Sequence, residues 1–166
     1  MTTRTLKDTG KSKLAAAMLI AAGCVSAAYS ADSSAADVYL RKTTASVNLS
    51  SDGSPVLLKQ VTIPAGTWVV TAKANPVNFG PADYVRCRLM IGTSQHDAGA
   101  TLVGNAAPGP TGETGPSVAE IVLQTAVTTT AAKAFKIDCQ HDFPSAGMYV
   151  DPGASIMIVR AQGPLG

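Results

Sequence analysis

The chain has 166 residues, 46% of them hydrophobic and 14% charged, with 15 glycines and 10 prolines. It is too apolar for a disordered tail and too rich in turn formers for a helical bundle, so one mostly β domain is expected. The net charge of +2 pools two unlike regions: the first 30 residues hold four basic side chains against one acidic, the rest nine against ten. With no cationic stripe and only 5% aromatics, nucleic-acid binding is excluded as a function class.

Residues 1–30 have the grammar of a signal peptide. Arg4, Lys7, Lys11 and Lys13 precede an apolar run from Leu14 to Ala28, and small residues flank Tyr29. The run is shorter than the roughly 20 residues that cross a bilayer, so no membrane span is expected. Cleavage is expected between Ser30 and Ala31, with the bond after Ala28 as the second choice, which makes the protein secreted or extracellular. Ile20-Ala-Ala-Gly-Cys24 also resembles the lipobox of bacterial lipoproteins. The alternative is therefore lipidation at Cys24 and a lipid-anchored cell-envelope protein carrying the same domain.

Residues 31–166 are expected to fold as a single antiparallel β-sandwich or jelly roll of about eight strands, with 31–37 a flexible N-terminus. Strand candidates are 38–49, 56–63, 67–74, 84–91, 117–127, 133–141 and 154–161. In 67–74, Trp68, Val70, Ala72 and Ala74 share one face; in 117–127, Ile121, Leu123 and Val127 oppose Glu120 and Gln124. The segment 154–161 is apolar on both phases (Ile156, Met157, Ile158, Val159), as expected of a central strand covered on both sides. Turn signals lie at Ser51-Asp-Gly-Ser-Pro55, Pro64-Ala-Gly66, Asn78-Phe-Gly-Pro81, Asp97-Ala-Gly99 and Asp151-Pro-Gly153.

Cys87 falls in phase with Val85, Leu89 and Ile91, and Cys139 in phase with Phe135 and Ile137, so both face the core. In an oxidising compartment these two form an even pair and are expected to be bridged, either across the sandwich or between neighbouring strands.

Gln-His-Asp occurs twice, at Gln95-His96-Asp97 and Gln140-His141-Asp142. Brought together they would supply nitrogen and oxygen ligands, so a metal-dependent enzyme is the competing reading. The spacing matches no known ligand pattern. The expectation is two strand ends running into Asp-led turns, whose carboxylates bond local backbone, with His141 a packed, neutral core histidine that acid would destabilise. Ser94 lacks the Gly-x-Ser-x-Gly elbow of a hydrolase nucleophile. No metal, cofactor or catalysis is expected. Asn48-Leu-Ser50 matches a glycosylation acceptor. The Gly-X-Y triplets at Gly109, Gly112 and Gly115 are too few for a collagen helix and belong to a long Gly/Pro loop, 104–116.

Val61-Thr-Ile-Pro-Ala-Gly-Thr-Trp-Val-Val-Thr-Ala-Lys-Ala74 resembles the strand, Pro/Gly turn and aromatic-led strand of jelly rolls of the C1q and tumour-necrosis-factor type. Together with Val85-Arg-Cys-Arg-Leu89, Cys139-Gln-His-Asp142 and Tyr149-Val-Asp-Pro-Gly-Ala154, it is similar to small exported bacterial proteins of no known activity. The resemblance implies a homotrimer whose outer loops bind ligands. The expected function is that of a secreted, non-catalytic module meeting a surface ligand or an envelope component.

Overall fold

Alternation of apolar and polar side chains with a period of two fixes which face of each strand is buried, and each long strand but β1 keeps that alternation through most of its length. A computed structural model describes residues 37–106, 110, 112–144 and 147–162. The expected signal peptide, Ser30, Ala31 and Cys24 lie outside the described residues. Eight strands have five or more residues: β1 (Val38–Lys42), β3 (Val56–Ile63), β4 (Gly66–Ala74), β6 (Asp83–Ile91), β7 (Ser94–Val103), β8 (Ile121–Thr129), β9 (Lys133–His141) and β11 (Ser155–Arg160). Three two-residue strands, β2 (Val47–Asn48), β5 (Pro76–Val77) and β10 (Tyr149–Val150), sit between them.

The long strands form two four-stranded sheets, ordered β1-β11-β4-β8 and β3-β9-β6-β7, every neighbour antiparallel. Counted among long strands alone, these orders are 1-8-3-6 and 2-7-4-5, so the chain alternates between sheets except at the hairpin of strands 4 and 5, as it does in a jelly roll. The core lies between them. Trp68, Val70 and Ala72 of β4, Ile156 and Ile158 of β11, Val85, Cys87 and Leu89 of β6, and Phe135, Ile137 and Cys139 of β9 have no exposed surface.

The expected strands 56–63 and 133–141 match β3 and β9 residue for residue. Other boundaries shift. The expected strand 38–49 is two strands, because at Thr43 the chain leaves the large sheet. Thr43 N–H donates to Ala154 O, and Thr43 O accepts from Gly153 N–H. The expected strand 117–127 begins later, at Ile121, and runs to Thr129.

The two ends of the sandwich differ. At one end the chain turns within a few residues, in the β6–β7 hairpin and in the short links β3–β4 and β8–β9 that cross between the sheets. At the other lie the long connections, stitched by the small sheet β2-β10-β5. The excursion after β7 is closed at its base: Gly104 N–H donates to Pro116 O at 2.9 Å, and Gly115 N–H to Gly104 O at 2.8 Å. Gly104 has φ +129°, and a Cβ there would lie 2.5 Å from the Ala82 Cα, so no other residue fits.

Candidate functional site

Cys87 on β6 and Cys139 on β9 are paired in register and joined by a disulfide with Cα atoms 4.1 Å apart. The bridge links neighbouring strands of one sheet rather than crossing between sheets. Both cysteines are fully buried, as their phase implies.

Two residues beyond Cys139, the inward phase delivers His141, which is 1% exposed. Its Nε2 lies 2.7 Å from the Ser50 carbonyl oxygen, an atom that only accepts, so this nitrogen carries a proton and donates. Its Nδ1 lies 3.1 Å from Asp83 Oδ2. Asp83 is also buried, and its carboxylate accepts the N–H groups of Tyr84 at 2.7 Å and Phe143 at 3.0 Å. Ser, His and Asp thus meet, but Ser50 contributes its backbone carbonyl. Its hydroxyl turns away and donates to Asp52 Oδ1 at 2.6 Å. Both imidazole nitrogens are occupied, which leaves neither free to take a proton from a nucleophile or to bind a metal. The expected neutral ring rested on burial among apolar groups alone. Asp83 places a carboxylate beside that ring, a partner that the local sequence does not mark.

The expected Asp-led turn at Asp97-Ala-Gly99 does not exist. These residues lie inside β7, which sequence periodicity missed altogether. The register with β6 passes from Leu89↔Asp97 to Met90↔Gln95, so His96 is the extra residue of a β-bulge and is exposed. Asp97 points inward, accepts its neighbour Ala98 N–H at 2.8 Å and takes Gln124 N–H of β8 at 2.7 Å. Asp142 does not bond local backbone as expected; it receives two bonds of 2.6 Å from the Arg86 guanidinium. That fork holds the Asp142 carboxyl below its ordinary range and pushes Arg86 up.

The two Gln-His-Asp segments remain apart. His141 stands level with Val85 on β6 and His96 beside Leu89 and Met90, roughly 14 Å along the strand. Among the described residues no group of three His, Cys, Asp or Glu side chains converges to hold a metal. Ser94 is exposed at the start of β7. Asn48, the glycosylation acceptor by sequence, is exposed on β2. Among the described residues no helix is long and apolar enough to cross a membrane.

The two outer faces of the sandwich are unlike. On the β3-β9-β6-β7 sheet, Arg86 pairs with Asp142 and Arg88 with Asp138, and a shallow notch of about 160 Å³ is lined by Arg86, Ala98, Gly99 and Ala100. The face of the β1-β11-β4-β8 sheet carries Val38, Leu40, Val69, Val122 and Met157, each 40–58% exposed. The register sets these in rows, Val38–Val159–Val69–Ala126 and Leu40–Met157–Thr71–Gln124. Here the expectation for 154–161 fails in part: β11 is central in its sheet, but only its inner phase is covered. Sequence reasoning missed this face. Its one sign was the outward apolar phase of β11.

No family model and no curated protein matches the sequence. Among solved structures, the chain is similar to that of infectious bursal disease virus Gx strain, with 12% identity, a TM-score of 0.50, and coverage of 78% of this chain and 34% of that one. The VP2 subviral particle of the same virus gives 13% identity and a TM-score of 0.48, over 78% and 34% of the two chains. This chain therefore spans about a third of the length of the viral chains it matches. The likeness is one of fold, an all-β jelly-roll sandwich, and carries neither a C1q-type kinship nor a bacterial source.

Proposed function

We propose that this protein is a secreted, non-catalytic jelly-roll module that works by surface contact, as a structural or binding component outside the cytoplasm. One observation carries the reading: five large apolar side chains stand exposed on the strands of one sheet, against Leu57 alone on the described strands of the other. Of these, Val38, Leu40, Val69 and Met157 adjoin through Val159, and contiguous apolar surface marks an interaction site rather than ordinary exterior. The occupied nitrogens of His141 support a structural role for the buried polar groups. The leader of residues 1–30 and the disulfide support export. A lipid on Cys24 would anchor the same domain without altering that face.

The test is made in the producing cell. The exported protein is expected to begin at Ala31 and to be recovered partly in an assembled or envelope-bound fraction. Met157→Lys is expected to be exported equally well and to move into the free fraction. An identical distribution of the two would overturn the reading, as would a cytoplasmic protein beginning at Met1.

A further inference from the structure

The apolar outer face of the β1-β11-β4-β8 sheet has a shape, an extent and a charge pattern that together specify what covers it. Its four strands span roughly 19 Å, and the strands run roughly 20–30 Å along their length. Two such faces laid together would bury about 1,000 Å² in total, the extent at which a specific protein interface begins. β11 is built for that arrangement. Ile156 and Ile158 are fully buried on the inner side, and Met157 and Val159 repeat the apolar chemistry on the outer side, where one chain alone leaves Met157 40% exposed.

Charge decides the partner. Lys42 closes β1 at one edge of the face and is exposed. Glu120 stands just before β8 at the other edge, where its Oε1 accepts Lys73 Nζ at 3.1 Å with both side chains about half exposed. Lys42, Ser155, Lys73 and Val122 lie in one register row, so Lys42 and Glu120 share one end of the sheet, roughly 14 Å apart across the strands and roughly 7 Å along them. A two-fold axis lying between the faces and parallel to the strands exchanges the edges and preserves the ends. It sets β1 over β8 of the second copy and β11 over β4. Lys42 then lies over Val122 with Glu120 two residues on, roughly 7 Å along the strand and twice by symmetry, while Val159 meets Val69 and Met157 meets Thr71. Such an isologous contact closes on itself, and it keeps the strands of the two sheets nearly aligned, as face-packed sheets prefer.

We propose that this face is the two-fold interface between two copies of the chain; the inference rests on the reading that the protein works through the same face. Sedimentation of the purified, disulfide-intact exported protein tests it. The wild type is expected to be a dimer at micromolar concentration. Met157→Lys, a surface change, is expected to weaken association at least 100-fold with the circular dichroism of the dilute protein unchanged. Lys42→Glu and Glu120→Lys are each expected to weaken it about 10-fold, and the double reversal Lys42→Glu/Glu120→Lys to restore it to within about threefold. A monomeric wild type at 100 µM overturns the proposal, as does a trimer of the kind the C1q resemblance implies, a dimer indifferent to Met157→Lys, or a double reversal that fails to recover. A monomeric wild type whose envelope-bound fraction Met157→Lys still abolishes removes self-association alone and leaves the proposed function standing.

Discussion

Asp97 of β7 accepts the main-chain N–H of Gln124 on β8 at 2.7 Å, so one carboxylate joins the edge strands of two different sheets. An edge amide left bare is an invitation to pair with another chain, and Asp97 occupies this one. Asp97→Ala is expected to cost about 1 kcal/mol in urea unfolding and to speed hydrogen exchange at the Gln124 amide. Asp97→Asn keeps an oxygen acceptor and loses less. Unaltered exchange at Gln124 in the alanine variant would refute the contact.

The buried carboxylate of Asp83 serves three groups at once: it accepts Tyr84 N–H and Phe143 N–H and faces His141 Nδ1 at 3.1 Å. Asp83→Ala strands all three in a region with almost no access to water. The expected loss is about 3 kcal/mol or more, measured by denaturant unfolding. His141→Ala, which leaves Asp83 its two backbone donors, is expected to lose less.

The Cys87–Cys139 bridge closes a span of 52 residues. In the chain-entropy account that constraint is worth about 4 kcal/mol. Replacing both cysteines by alanine is expected to lower stability by 2 to 4 kcal/mol, read from urea midpoints. Non-reducing peptide mapping of the exported protein is expected to recover one linked fragment, and two alkylatable thiols would be the contrary result.

Asp142 gives the domain a small acid dependence. Its carboxyl is lowered from the usual 3.8 by the hydrogen bonds from Arg86. A depressed folded value means that the stabilisation is fully present above about pH 4. It is lost as pH falls through the folded value. The Arg86 side chain is half exposed, so screening limits the pair to roughly 0.5 kcal/mol. Asp142→Asn is expected to show that deficit at pH 7 and to converge with the wild type at a pH below the folded value. An equal deficit at both pH values would assign the effect to packing.

At Gly104, both φ +129° and the closeness of Ala82 exclude a side chain. Gly104→Ala is expected to lower the melting temperature by several degrees, equivalent to about 2 kcal/mol. Gly112 also has positive φ but has nothing within 4 Å of its absent Cβ. Alanine there is expected to cost no more than about 1 kcal/mol.

The strands that were legible in the sequence are those with one buried and one wet face. β6 and β9 show this, because a two-residue period is what half-burial imposes. β7 escaped detection for three physical reasons. The bulge at His96 shifts its phase, Ala98, Gly99 and Ala100 are too small to mark a face, and Asp97-Ala-Gly99 has the composition of a turn. The inward phase of His141 was readable from its own strand. Asp83, 58 positions away, could not be found that way, since nothing local announces a partner delivered by another strand. Likewise the two apolar phases of β11 announced a covered strand, while only the folded sheet shows which side remains bare.

The entry and exit of the domain lie together at the end with the short turns. Asp37, just before β1, accepts Arg160 of β11 at 2.8 Å, and Val38 pairs with Val159 as the first rung of the ladder. A pull between these two points therefore meets the rungs one at a time, like a zipper opened from its tab, and the β1–β11 pair yields at low force. The yielding stops at the disulfide. With 52 residues closed behind Cys87 and Cys139, the stretched chain falls short of its full contour by roughly 180 Å. A tension that strips β1 and β11 from the domain thus leaves β6 and β9 clasped, and the molecule stretches by a fixed length before it holds.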